Sequence, residues 1–542
     1  MLKSRAHTIK VLPYQISGSG RFYHFKFTPE YSNKVEDKKD IPCFWRKCLN
    51  GFMNFCDATT LHGFRYVSED GRPNYERVYW LIAILAAYCL VTLVVYDQIE
   101  RFFKNPVLIS MEPILTSISK IPFPAITLCP DSQILSTTFN LSWAIQEPFN
   151  STVKRDEAYN YAMIVCHLHD FTMKNHHLKT FNPEFIHKMM NAINGEHYCK
   201  KLISNVVWTG GLLKNACQYF QPTVTYFGAC LTFNMLPQDQ IFKLPNVTVA
   251  YSWGDKYFGG RKNVWSPDTS FKGNLQPSYN SSDAETPPWI AGEGSLTTAV
   301  SFFLTIPKDS FDGSCSSGGK GFFGFVHNPA EIPGSSHPIV YTEADHTLLI
   351  TLTPKIHFID KRLDRWNAHE RGCYFQNERY LQYFKIYTQR NCEAECEANI
   401  TEQMCNCRAF YHPRTQDIQV CGPGMVDCVQ SKVGKEWDKS SCKCLPSCSE
   451  LNYDTSSLRF KRNWRKHILY STLTDKNHYT GIYMKYRGRY FSGTRRDLMI
   501  SLTDFIANVG GLLGLFLGFS CLSVFEVIYF LTFRHYSDGC RK

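Results

Sequence analysis

The stretch "FIANVGGLLGLFLGFSCLSVFEVIYFLTF", Phe505–Phe533, decides how the chain is to be read. Its 29 residues include one charged side chain, Glu526. As a single helix the stretch would rise about 43 Å, against roughly 30 Å of bilayer core. It must tilt, project beyond the bilayer or break, and its glycines predict a break. Ala507, Gly511, Gly514 and Gly518 recur at spacings of four, three and four, which places small side chains on one helix face. Such a stripe serves either a packing seam between helices or a pore whose backbones approach closely. A carboxylate deep in lipid costs on the order of 3 kcal/mol, so Glu526 should either snorkel to the nearby interface or face water. With several copies around an axis it would form a ring of carboxylates at a pore mouth. Hard cations take oxygen ligands, which makes Gly518, Phe519 and Ser520 the candidate coordinating belt.

Upstream, "VYWLIAILAAYCLVTLVVY", Val78–Tyr96, is nineteen uncharged residues long and apolar on every face. It would rise about 28 Å as a helix and match one bilayer core. Because 77 mostly polar residues precede it, it reads as a retained anchor rather than a cleaved signal. Arg72 and Arg77 precede this run, while Arg534, His535, Arg541 and Lys542 follow the second. The positive-inside rule then puts both termini in the cytosol. The expected division is a cytosolic segment over 1–77, a first transmembrane helix over 78–98, an extracellular domain over 99–504, a second transmembrane helix over 505–533 and a cytosolic tail over 534–542.

The middle segment carries its own compartment signals. Sixteen of the 22 cysteines fall between Cys129 and Cys448, an even set that suggests eight disulfides in an oxidising compartment. N-x-S/T sequons at Asn140, Asn150, Asn246, Asn280 and Asn399 lie in the same segment and mark candidate glycosylation sites. The C-x-C and C-x3-C spacings would suit zinc in a reducing setting, but here disulfides are expected and no metal. His167 and His169 beside Cys166 have no supporting acid or second motif and read as a surface pair. No cofactor and no enzymatic activity are expected. The +11 net charge is dispersed among 48 acidic residues, which argues against a nucleic-acid partner. "HTLLITLTPKIHFI", His346–Ile359, reads as a strand in a larger sheet, Glu378–Cys405 as helical, and Ser252–Gly294 as loops.

These pieces converge on one resemblance. "GGLLGLFLGFSCLSVFE" looks like the second membrane segment of the degenerin/epithelial sodium channel family, with a G-x-S filter at Gly518, Phe519 and Ser520. "LHGFRYV" carries the His62–Gly63 pair found before the first membrane helix of that family. "FPAITLCP", Phe123–Pro130, resembles the entry to its ectodomain, and "GACLTFN", Gly228–Asn234, its G-x-C-x-T-F-N. The cysteines from Cys373 to Cys448 resemble its helical thumb. Within the family the chain looks most like the insect pickpocket branch.

The resemblance implies an α+β membrane protein, in which two transmembrane helices flank a large disulfide-rich mixed α/β ectodomain with palm, thumb and finger parts. It implies a homo- or heterotrimer of related subunits in the plasma membrane, passing Na+ as permeant ion with amiloride sensitivity and without voltage dependence. It further implies the pairs Cys129–Cys230, Cys199–Cys217, Cys373–Cys448, Cys392–Cys444, Cys396–Cys442, Cys405–Cys428 and Cys407–Cys421, and leaves Cys166 and Cys315 over as a candidate additional pair. Carried over by position, Gly518 and Ser520 line the filter, Glu526 adds carboxylates beneath it, and Gly514 matches the amiloride position. Ala507 matches the degenerin site, and His62 and Gly63 act in gating. Asn508 stands where some relatives carry an acid, and Phe519 is larger than the usual middle residue. The stimulus, whether an extracellular ligand, a mechanical tether, osmolarity or none at all in a constitutive leak, stays open. Two alternatives share the two-helix plan: an ATP-gated cation channel, and a non-conducting glycosylated receptor or adhesion protein.

Overall fold

The computed structural model describes residues 43–148, 151–166, 179–182, 198–243, 287–291, 298–308, 311–315, 319–334, 337–415, 417–433, 439–464 and 476–534. Asn150, Asn246, Asn280, His167, His169 and most of the 252–294 stretch lie outside them. The chain divides into two compact units, one of residues up to Leu93 together with Gly510 onward, the other of Val94–Val509.

The larger unit is built on two sheets. The longest strand, His346–Ile359, lies inside an eight-stranded sheet. One edge pairs antiparallel with Glu450–Lys461 along 346–357. The other edge is shared end to end by two parallel partners, Asn477–Tyr486 beside 347–352 and Thr494–Leu498 beside 357–359. Leu348, Ile350 and Leu352 are buried between partly exposed Leu349, Thr351 and Thr353, the period-2 pattern of a strand with one face on a core.

A second, five-stranded sheet is wholly antiparallel. Its central strand, Ala125–Pro130, and the neighbouring Gly228–Phe233 are buried at every position. They are the "FPAITLCP" and "GACLTFN" segments, paired as Ile126 with Phe233, Thr127 with Thr232 and Leu128 with Leu231. Strands buried on both faces need continuous apolar runs rather than alternation, as these motifs show. Asn234, at φ +61°, ties the two together again: its Nδ2 donates to the Phe123 carbonyl at 2.6 Å and its Oδ1 accepts from the Trp289 amide at 2.7 Å. The hydroxyls of Thr223, Thr232 and Thr127 stand 2.8 Å apart in a row, and Thr127 Oγ1 lies 2.9 Å from His327 Nε2. The hydroxyls and the ring thereby satisfy one another inside the sheet. Phe123, Trp208, Phe233, Trp289 and Phe302 pack edge-on or tilted around this junction.

The cysteine-rich helix spans Gln389–Cys405, shorter than the sequence reading of Glu378–Cys405. Thr388 caps it by accepting from the Asn391 amide at 3.1 Å. The preceding residues are drawn out of helix because the Glu395 carboxylate accepts from the amides of Gln382 and Tyr383, at 2.7 and 2.9 Å. Cys392 and Cys396, one turn apart, bond Cys444 and Cys442. Cys405–Cys428, Cys407–Cys421 and Cys373–Cys448 complete the segment, with Cα separations of 6.0, 5.0 and 5.0 Å. Cys129–Cys230 bridges the two central strands, and Cys199–Cys217 closes a short loop. The remaining two middle cysteines, Cys166 and Cys315, form an eighth bond. With every middle thiol in a disulfide, none is left as a thiolate for zinc. Chain-entropy arguments put each bond at about 3 to 5 kcal/mol. Of the two described sequons, Asn140 is exposed and caps the helix Leu141–Gln146, while Asn399 is half-buried and accepts from Arg408 at 2.8 Å.

Candidate functional site

Among the described residues one helix, Asn74–Lys104, is long and apolar enough to cross a membrane. It extends beyond both ends of the 78–98 span expected from sequence. The second apolar stretch is not one helix: Leu502–Leu517 and Cys521–Phe533 meet at a bend of 63°. The break has a local cause in three residues. Gly518 adopts φ +68°, and its amide donates to the Gly514 carbonyl at 2.9 Å, a left-handed cap that ends the first helix. Ser520 is extended and caps the second helix. Its Oγ accepts from the Ser523 amide at 3.3 Å, while its own amide donates to Ser523 Oγ at 3.1 Å. Phe519 is the one residue between stop and start, and the amide of Phe519 donates to the Leu513 carbonyl at 3.3 Å.

The segment before the long helix meets this break. Helix Cys43–Ala58 ends at a tight passage, after which the His62 amide donates to the Leu517 carbonyl at 2.9 Å. A Cβ built on Gly518 would stand 2.5 Å from His62 Cδ2 and 2.7 Å from Nε2, closer than real side-chain carbons approach. Gly63, at φ +85°, turns the chain toward the long helix, where a Cβ would come within 3.0 Å of Ile84. Phe55 packs edge-on to Phe530, Phe64 to Tyr88, and Asp57 accepts from Ser68 at 2.5 Å. His62 is thus brought against Gly518, and Gly63 against Ile84 of the long helix.

Glu526 does not stand free. Its carboxylate accepts from the Thr60 amide and the Thr60 hydroxyl, both at 3.2 Å, and from the Thr59 hydroxyl at 3.4 Å. Sequence reasoning found Glu526 but not its partners. Ser523 carried a readable S-x-x-S capping signal, whereas Thr59 and Thr60 carried none. Of the small-residue stripe, Ala507 and Gly511 are exposed on the 502–517 helix, nothing lies near a Cβ built on Gly511, and Gly514 faces the Phe519 carbonyl.

In the larger unit, Phe102 near the end of the 74–104 helix stacks on Phe505, ring centroids 4.5 Å apart, and packs at 5.7 Å against Trp366. Trp366 ends the turn Lys361–Arg365. Beside it, Asp360 accepts from Arg362, which holds the Asp360 carboxyl below its usual range, and Arg495 spans toward Asp360, Glu112 and Asp497. This cluster joins the turn to the strand Thr494–Leu498 that precedes the 502–517 helix.

The sequence profile of the amiloride-sensitive sodium channel family matches residues 55–530. Pickpocket protein 28 of Drosophila melanogaster is 25% identical over 523 residues, covering 93% of this chain and 82% of that protein. Sodium channel protein Nach of Drosophila ananassae is 20% identical, covering 88% of this chain and 86% of that protein. The bile acid-sensitive ion channel of Mus musculus is 21% identical, with coverage of 89% and 87%. A solved structure of a proton-activated chloride channel covers 84% of this chain and 97% of its own at 8% identity, with a TM-score of 0.29, too low to bear on the fold.

Proposed function

Since the chain belongs to the amiloride-sensitive sodium channel (degenerin/epithelial sodium channel) family and is a cation-channel subunit, not an enzyme, we propose that it passes Na+ across the plasma membrane as one of three subunits. The ATP-gated and non-conducting alternatives give way to the family match. Each subunit crosses the bilayer twice, through the 74–104 helix and through the broken stretch over 505–533, with both termini cytosolic and the domain over 99–504 outside. Gly518, Phe519 and Ser520 are the filter, where a backbone that leaves helix at Gly518 frees carbonyls to face an ion.

One observation carries this reading: the helix stops and restarts within the G-x-S triplet, at the level of His62. The sixteen bonded cysteines support the extracellular placement, because such bonds persist in oxidising compartments. Glu526 adds negative charge on the cytosolic side of the filter, Gly514 is the amiloride position, and Ala507 and Gly511 let the 502–517 helices of three subunits close on one another. Movement of the Trp366 turn is transmitted to both membrane helices through Phe102 and Phe505. Asn140 is the better placed of the two described glycosylation candidates.

The test is voltage clamp of the surface-delivered protein, alone and with related subunits, with external Na+ replaced by K+ or a large organic cation. A Na+-selective, amiloride-reduced current whose reversal potential moves when Ser520 is replaced is expected. Currents carried equally by all three cations, or unmoved by Ser520 substitution, would refute the filter assignment.

A further inference from the structure

Thr59–His62 is fastened on both sides of the Gly518–Ser520 triplet. Ahead of it, the His62 amide holds the Leu517 carbonyl and the His62 ring backs onto Gly518. Behind it, Thr59 and Thr60 donate three groups to the Glu526 carboxylate. Thr60 Oγ1 also lies 3.3 Å from Ser523 Oγ, the side chain that completes the Ser520 cap. One short segment therefore bridges the end of one helix and the first two turns of the next. At the break the regular helical ladder gives way to the Phe519–Leu513 contact and the Ser520–Ser523 cap, and the Thr59–His62 segment braces the angle from outside.

We propose that Glu526 is a positioning residue: through Thr59 and Thr60 it clamps the segment that seats His62 on Gly518, and so fixes the filter's geometry. Hydrogen bonds to a carboxylate are stronger than neutral ones, and the Glu526 oxygens take them from a backbone amide and two hydroxyls at once. The proposal rests on the filter reading of Gly518–Ser520 and assigns Glu526 a task separable from any charge it presents to cations. Charge and clamp come apart chemically. Glu526→Gln removes the charge and keeps one acceptor oxygen at the same place. Thr60→Val keeps the shape, the amide donor and the Glu526 charge, and removes the hydroxyl.

The experiment is voltage clamp of the full-length chain in the Ala507→Val background, with surface protein quantified. Thr60→Val is expected to lower current about tenfold per surface channel, the scale of one hydrogen bond to a charged group, and to shift the Na+/K+ reversal potential. Thr60→Ser should restore both. If Thr60→Val fails to reach the surface, Glu526→Leu against Glu526→Gln reads the same coupling, with selectivity lost in the first and retained in the second. The clamp is overturned if Thr60→Val and the Thr59→Val/Thr60→Val double variant keep wild-type current and selectivity while Glu526→Gln lowers unitary conductance, since Glu526 would then act by charge alone. A surface-delivered chain that carries no cation current even with Ala507→Val, both alone and with related subunits, defeats the filter reading itself, and the clamp with it.

Discussion

Gly518 is held to its identity by two constraints that add. Its backbone is left-handed at φ +68°, which costs a residue with a Cβ about 1–2 kcal/mol. Its Cα also faces the His62 ring too closely for any side chain. Gly518→Ala should therefore cut current at least about tenfold at equal surface density, measured by voltage clamp with surface labelling. His62→Ala should relieve the steric part but not the backbone part, so the double variant is expected to recover some current and not all. A second prediction concerns His327, 2% exposed in the five-stranded sheet. Burial, and secondarily the neighbouring His337, push its pKa down to about 3 from an ordinary 6.5. The unfolded chain takes up the proton first, so the stability from this site is complete above pH 6.5 and is lost as pH falls toward 3, by at most about 1.4 kcal/mol per pH unit. Melting of the purified protein between pH 7 and 5 should show that slope, and His327→Gln should flatten it; an unchanged slope counts against the assignment. Gly518 and Ser520 were legible in sequence as candidate oxygen ligands in an apolar span and through the resemblance to the family's G-x-S filter. The partners of Glu526 were not, because 466 positions separate it from Thr60.

Among the elements, the 502–517 helix carries the sharpest expectation. Ala507 is exposed on it in the single chain, on the face where sister helices would close. Ala507→Val adds two methyl groups at that contact, and close packing does not absorb extra volume without displacement. It should hold the gate open, giving a standing current several-fold above wild type at equal surface expression; currents no larger than wild type contradict it. The strand His346–Ile359 was readable from its alternation. The start of the cysteine-rich helix was not: the sequence from Glu378 has helical spacing, but Glu395 captures the amides of Gln382 and Tyr383 and keeps that segment out of helix. Such capture depends on tertiary placement, which overrides local periodicity. The broken second span was foreseeable as a mismatch between 29 residues and one bilayer, and the structure puts the break where the left-handed cap at Gly518 adjoins the Ser520 cap.

For the whole molecule, assembly is the quantity to measure. A detergent-purified complex should show a protein mass near three times 62.5 kDa, apart from glycans, by light scattering or native mass spectrometry; a stable dimer or monomer that still conducts would refute the trimer. The plan of two apolar stretches around a cysteine-rich middle was plain in the sequence, since composition reports compartment. The pairing of Cys166 with Cys315 was reachable only as the two cysteines left over, because spacing alone leaves connectivity open. The pattern of these bonds bears on how the protein is made. In the segment from Cys373 to Cys448 every bond encloses the next, with Cys407–Cys421 innermost. A nascent chain entering an oxidising lumen can close that set from the inside outward without undoing any bond. Cys129–Cys230 and Cys166–Cys315 instead interleave, so neither encloses the other and no inside-outward order of closure serves them. Biogenesis should depend on thiol isomerase activity at this pair, and a Cys166→Ser/Cys315→Ser chain should mature with less need of it.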